Sequence, residues 1–139
     1  MSNTQKISEF ISVAKEIPES VLAASRRLIL DSVGCALGGI SSKQGEVVRE
    51  FVQLQGSGPE TILGTGQPAS PVTAAYATGR LVNILDQDET YLVLGHHANS
   101  ALGATLALAK TCALSGATAL RAFTIGYEIG ARAGNFMGV

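Results

Sequence analysis

Residues 70–110 read SPVTAAYATGRLVNILDQDETYLVLGHHANSALGATLALAK, and the fold turns on how this stretch is parsed. Ser70 followed by Pro71 is a helix start: a hydroxyl that can cap free amides, then a ring already set to helical φ. The spacing predicts a helix from Pro71 to about Leu85. Its small residues Ala74, Ala75, Ala77 and Gly79 let a neighbouring helix approach closely, which places it in the interior. At the far end, Asn99 or Ser100 is the expected cap of a helix from Ala101 to about Leu114. Leu102, Ala104, Leu106, Ala107, Leu108 and Ala109 make that helix apolar nearly all round, so it is expected to be central and surrounded. Between the two, the pattern turns abruptly acidic and polar.

Helical spacing continues outward on both sides. Thr4 is a plausible N-cap for Ile7, Phe10, Ile11 and Ala14, in a helix ending near Ile17, because Pro18 disfavours helical geometry before it. Pro18 suits the first turn of the next helix, traced by Val21, Ala24, Ser25, Leu28, Ile29, Val33 and Leu37 and closed at Gly38 and Gly39. Ser41 or Ser42 opens a third, with Val47, Val48, Phe51, Val52 and Leu54 on its apolar side. The run GSGP at 56–59 breaks it. Residues 61–66, TILGTG, have room for one short β-ribbon. Ser115 and Gly116 precede a sixth helix, capped at Thr118 and running through Phe123, Ile125, Tyr127 and Ile129 toward Arg132. Alternation of period two is nearly absent. The expected fold class is all-α, six packed helices in one domain over residues 1–139.

Composition narrows the function classes. With 46% hydrophobic and 15% charged residues, the chain is more apolar than an average soluble domain. A net charge of -1 offers no electrostatic basis for binding nucleic acid or an anionic membrane surface. The aromatic share is 5% with no Trp, so base-stacking platforms are not expected either. So much apolar surface in a small interior points to burial against another chain, in a homo- or hetero-oligomer. Cys35 and Cys112, each in an apolar stretch, are expected to be buried, reduced thiols. The start MSNTQKISEF lacks the basic and apolar regions of a signal peptide, and the apolar run at 101–109 is too short to cross a bilayer before Lys110. A cytoplasmic location is the expectation.

The loop at 86–97 collects Asp86, Asp88, Glu89, Thr90, Tyr91, His96 and His97. Loops carried by rigid scaffolds are where reacting groups concentrate. A carboxylate can orient a histidine, and a histidine moves a proton near neutral pH. A threonine can hydrogen-bond a substrate carboxylate. The plainer alternative is an acidic loop in which Asp86 or Asp88 satisfies nearby backbone amides. Of two adjacent histidines, one at most usually points into a given cleft. Asp, Glu and His can also ligate divalent ions, but the spacing matches neither a calcium loop nor the helical histidine pair of zinc proteases, so no metal is expected. No nucleophile elbow, phosphate loop or dinucleotide fingerprint is present.

The run VNILDQDETYL at 82–92, followed by a histidine and a small-residue helix, resembles the MmgE/PrpD family, which includes 2-methylcitrate dehydratase and cis-aconitate decarboxylase. RLILDSVGCALGG at 27–39 looks like that family's second helix, TILGTG at 61–66 like its small turn, and TIGYEIGAR at 124–132 like its next helix. The four motifs occur in order along nearly the whole chain. The resemblance implies a mostly helical domain of a cofactor-independent lyase acting on small di- or tricarboxylic acids. Asp86 and Thr90 match the family's active-site Asp and Thr. The histidine is His96 on a decarboxylase-like gap and His97 on a dehydratase-like gap. The family's His-Pro-Ser is replaced by His97, Ala98 and Asn99, or by His96, His97 and Ala98, and Glu89 stands where an Asp is usual.

On this reading Asp86, His96 and His97 are the candidate catalytic residues. Thr90, Asp88, Asn99 and Arg80 are candidates for binding substrate, with no cofactor and no metal. Arg80 is the only cation close in sequence, few for a polycarboxylate. Family members run to several hundred residues, so this chain resembles about the first third. Later catalytic Lys and His residues would come from a second polypeptide or a missing C-terminal portion. A dicarboxylate epimerase or isomerase would use the same proton abstraction. A helical assembly protein that kept the scaffold without the activity is the competing class.

Overall fold

The computed structural model describes residues 1–14, 16–91 and 95–136. Six helices and one two-stranded ribbon follow in the order α1 (Asn3–Val13), α2 (Glu19–Ile40), α3 (Lys43–Gln55), β1 (Glu60–Thr61), β2 (Pro68–Ala69), α4 (Pro71–Asn83), α5 (Ala98–Ala109) and α6 (Gly116–Phe136). The chain is all-α apart from that ribbon. Among the described residues, no helix is long and apolar enough to cross a membrane.

Helix α4 is the centre of the packing, against α5 on one side and α2 and α3 on others. Ser70 caps it, its hydroxyl accepting from the Thr73 amide, with Pro71 in the first turn. Its buried face is Thr73, Ala74, Ala77, Thr78, Leu81 and Val82. The small residues do what their spacing predicts. A Cβ on Gly103 of α5 would sit 2.5 Å from the Ala75 carbonyl oxygen, so α4 and α5 touch backbone to backbone. A Cβ on Gly39 would collide with the Leu81 carbonyl, which brings α2 equally close. Ala36, Val52, Leu102 and Phe123 close the core around this helix.

Several boundaries differ from expectation, each for a local reason. Helix α1 is capped by Ser2, not Thr4, through a reciprocal Ser2–Gln5 capping box, and it ends at Val13. Lys15, within the extent expected for that helix, lies outside the described residues. No α1 residue is buried; Ile7, Phe10 and Ile11 stay exposed. Helix α2 passes through Gly38 and Gly39 to Ile40, because those glycines are contact points and not terminators. The ribbon pairs Glu60 with Ala69 and Thr61 with Pro68, so its strands flank the 62–67 turn instead of lying within 61–66. Buried Glu60 accepts from the backbone amide and hydroxyl of Thr111, which ties the ribbon to the chain leaving α5 and satisfies a carboxylate held away from water.

Helix α5 departs furthest from its expected form. It runs from Ala98 to Ala109, not from Ala101 to Leu114, and it is not surrounded: Ala98, Leu102, Gly103 and Ala107 are buried while Ala104 and Leu108 are exposed. Because it ends early, Cys112 falls in the following turn and is exposed; Cys35 is half-buried. Ser115, not Thr118, provides the hydroxyl at the start of α6, accepting from the Thr118 amide at 3.1 Å.

Candidate active site

The chain leaves α4 through a strained corner. Asp86 lies two residues past the C-cap Ile84 and has φ 54°, a left-handed conformation in which aspartate is one of the few tolerated non-glycine residues. Its amide donates to the Asn83 carbonyl at 2.9 Å, closing the last turn. The loop returns through a hydrogen bond from the Tyr91 amide to the Gly95 carbonyl, also 2.9 Å. Leu92, the last residue of the acidic motif, lies outside the described residues.

These two closures bring His96 back over the acidic segment. Its Nε2 lies 3.3 Å from Asp86 Oδ1, and its Nδ1 lies 3.0 Å from Asp88 Oδ1. Neither N–H points at its carboxylate well enough to form a hydrogen bond, and Nδ1 is buried without one. The contacts are therefore electrostatic, and both become ion pairs when the ring is protonated. The carboxylates are not equivalent. The Asp86 side chain is 85% exposed, whereas that of Asp88 is fully buried. Asp88 is anchored by two amides, Asn83 Nδ2 donating to Oδ1 at 3.0 Å and Asn99 Nδ2 to Oδ2 at 3.4 Å. One carboxylate is thus fixed and dry and the other open to water, with an imidazole between them. This arrangement can take a proton from one side and pass it to the other. Burial first, then the Asp31 and Asp88 carboxylates, push the Cys35 thiol up from its ordinary value.

His97 goes elsewhere. It is the N-cap residue of α5 and makes no capping bond through its side chain. Its ring sits in an aromatic cluster, 6.0 Å from Tyr91 and 6.2 Å from Tyr127 between centroids. Gly130 of α6 makes the room: a Cβ there would lie 3.3 Å from His97 Nδ1. The cap is supplied by Glu89, whose carboxylate accepts from the His97 amide at 2.9 Å and the Ala98 amide at 3.1 Å. Asn99, an expected cap, lies inside the first turn and faces Asp88 instead.

The remaining candidates divide. Arg80 and Asn99 line one groove of about 380 Å³ between α4 and α5, together with Tyr76, Asn83 and Ser100. Asn83 and Asn99 form the wall shared by this groove and the Asp88 cluster. Thr90 is exposed and makes no hydrogen bond to the cluster among the described residues. The structure therefore brings Asp86, Asp88, His96 and Asn99 together, sets Arg80 along the adjoining groove, and separates His97. Among the described residues, no three His, Cys, Asp or Glu side chains are placed to hold a metal ion. Sequence reasoning missed Asn83, Glu89 as a cap, and Tyr127. Asn83 had a signal, an amide at the end of a helix three residues before an acidic cluster. Tyr127, more than thirty residues downstream, had none.

Tyr127 carries a measurable signature. Burial first, then the charge and hydrogen bond of Glu89, raise its phenol from 10.0 to about 12. The folded chain therefore keeps a proton that the unfolded chain loses near 10.0. Stability from this group is complete below pH 10, and it falls as the pH rises through that value toward about 12. Tyrosinate absorbance should show one of the three tyrosines titrating late, with denaturant midpoints dropping over the same range.

Fold and site together define a class: an all-helical domain that presents a carboxylate-flanked imidazole on the loop between its two closest-packed helices. The family model of the MmgE/PrpD N-terminal domain matches residues 5–139, and the chain belongs to that family. Among curated relatives, the cis-aconitate decarboxylase of Aspergillus terreus is 29% identical over 126 residues, covering 86% of this chain and 26% of the relative. The human cis-aconitate decarboxylase is 26% identical, covering 84% of this chain and 25% of the relative. A probable 2-methylcitrate dehydratase of Saccharomyces cerevisiae is 33% identical over 108 residues, covering 70% of this chain and 20% of the relative. The matched stretch thus spans about a quarter of the length of these relatives. No solved structure gives a significant match.

Proposed function

We propose that this chain carries the His96 side of the active site of a lyase, a dehydratase or decarboxylase for a small di- or tricarboxylic acid of the cis-aconitate or methylcitrate kind. The observation that supports this reading is the His96 imidazole set between exposed Asp86 and buried Asp88. Membership of the family, with relatives named as decarboxylases and a dehydratase, supports the reaction class. In a dehydration, a base removes the proton next to a carboxylate, an acid assists hydroxide departure, and a carbon–carbon double bond forms. The difficulty is the weak acidity of that carbon, met by positioning and by stabilising the developing negative charge. His96 is cast as the proton-transfer group, Asp86 as its water-facing partner, and Asp88 as the fixed carboxylate holding the ring. Arg80 and Asn99, along the adjoining groove, are cast as substrate contacts.

A polycarboxylate needs more positive charge than Arg80 provides, so further cationic groups belong to another segment or chain. Exposed Val47, Phe51, Leu54, Val72 and Tyr76 on α3 and α4, and the uncovered face of α1, favour such an assembly. The test is turnover of cis-aconitate and 2-methylcitrate by the assembly purified from its native source. Asp86→Asn keeps the shape and tolerates the left-handed corner, so it isolates the charge. It is expected to lower turnover about tenfold or more. Unchanged turnover removes Asp86 from the mechanism, and a chain that comes down alone as a stable monomer rejects the partner.

A further inference from the structure

We propose that Glu89 is a positioning residue: by capping the start of α5 from the acidic loop, its carboxylate fixes the backbone at His97 and holds the adjacent His96 and His97 rings in separate environments. Helix α5 begins without a side-chain cap from its own N-cap residue. Its two leading amides, His97 and Ala98, both donate to Glu89. A carboxylate at this end also complements the positive pole of the helix. The Tyr127 ring of α6 lies beside His97, and the Glu89 charge helps to raise its phenol.

Two elements therefore meet at one carboxylate, the acidic loop and the first turn of α5, with Tyr127 from the middle of α6 packed beside His97. The backbone of residue 97 is clamped from the loop side, and the His97 ring is confined by Tyr91, Tyr127 and Gly130. With position 97 fixed, the chain direction at position 96 follows, and the neighbouring ring turns to Asp86 and Asp88. Among the described residues Glu89 makes no hydrogen bond or ion pair with His96; it acts through the backbone.

This inference rests on His96 being the reacting histidine, but its test reads ring positions and needs no turnover. The protein has two histidines, so their ring nitrogen signals in a long-range proton–nitrogen NMR spectrum can be assigned with one His97→Gln variant. Glu89→Gln keeps an acceptor for one α5 amide and removes the charge. Helical circular dichroism should be retained, both ring-nitrogen signals should move, and the late tyrosine titration should shift down toward the ordinary phenol value. The charges and rings facing that phenol are Glu89, Tyr91, His97, Phe123 and Glu128, so Glu128→Gln is the companion variant. Glu128→Gln should leave both imidazole signals in place. Glu89→Asp, one methylene too short to reach both α5 amides, should behave like Glu89→Gln. If the His96 and His97 signals of Glu89→Gln coincide with wild type, the proposal is wrong. If Glu89→Gln does not fold, Glu89 is a structural cap only and the proposal also fails.

Discussion

Replacing His96 with glutamine is expected to lower turnover of a cis-aconitate- or methylcitrate-type substrate by about 10²–10⁴-fold, the range of a lost general acid or base. The fold should survive, because the His96 ring makes no hydrogen bond and its neighbours remain satisfied. Asp88 keeps both amide donors, Asn83 and Asn99. His97→Gln should do the reverse. Its ring contributes packing with Tyr91 and Tyr127, worth about 0.5–1.5 kcal/mol per aromatic pair, so the variant should melt earlier and retain most of its turnover. Steady-state kinetics and thermal melts of the two variants in the same assembly decide the matter. A His97 variant with the larger kinetic loss would reverse the assignment of the two histidines.

Gly103→Ala is expected to destabilise the domain by about 3 kcal/mol, at the upper end of overpacking costs. The added methyl would lie 2.5 Å from the Ala75 carbonyl oxygen and 3.2 Å from the Gly79 amide. Both are backbone atoms of α4, so no rotamer change relieves the clash and the helices must part. For a chain of this size that is a fall in melting temperature on the order of 10 °C. The site should suffer too, since Asn99 sits one turn before Gly103 on the same helix and holds Asp88. Gly34→Ala is the control. It lies exposed on α2 with nothing within 4 Å of its would-be Cβ, so it should gain up to ~1 kcal/mol from helix propensity alone. If both variants melt within about 2 °C of wild type, the α4–α5 contact is looser than described.

Much of this architecture was legible in the residues because the signals are local. Ser70 and Pro71 declare the start of α4, and the Ala and Gly spacing marks it as a close-packed centre. The acidic motif placed Asp86, Asp88 and a histidine on one loop. The misses share a cause. Gly38 and Gly39 read as a terminator, since a pair of glycines usually frees the backbone, whereas here the helix continues and the missing side chain of Gly39 admits the Leu81 carbonyl of α4. The start of α5 was misplaced because its cap comes from Glu89, eight residues before Ala98's neighbour His97, and no local rule looks that far. Its burial was overestimated because apolar composition states what a helix can bury, not what is there to cover it.

The choice between His96 and His97 shows where local reading stops. Identical residue types in adjacent positions carry identical chemistry, and the two family spacings select different ones, with His96 only slightly favoured. What separates them is three-dimensional: Tyr127 and Gly130 on α6 accept one ring, and Asp88, pinned by Asn83 and Asn99, meets the other. Helix content, the six-helix order and the polar loop follow from periodicity and capping, which act over a few residues. The orientation of the His97 ring follows from packing against α6, thirty residues and more along the chain, and that of His96 from the way its own loop closes between α4 and α5; that information exists only once the chain has folded.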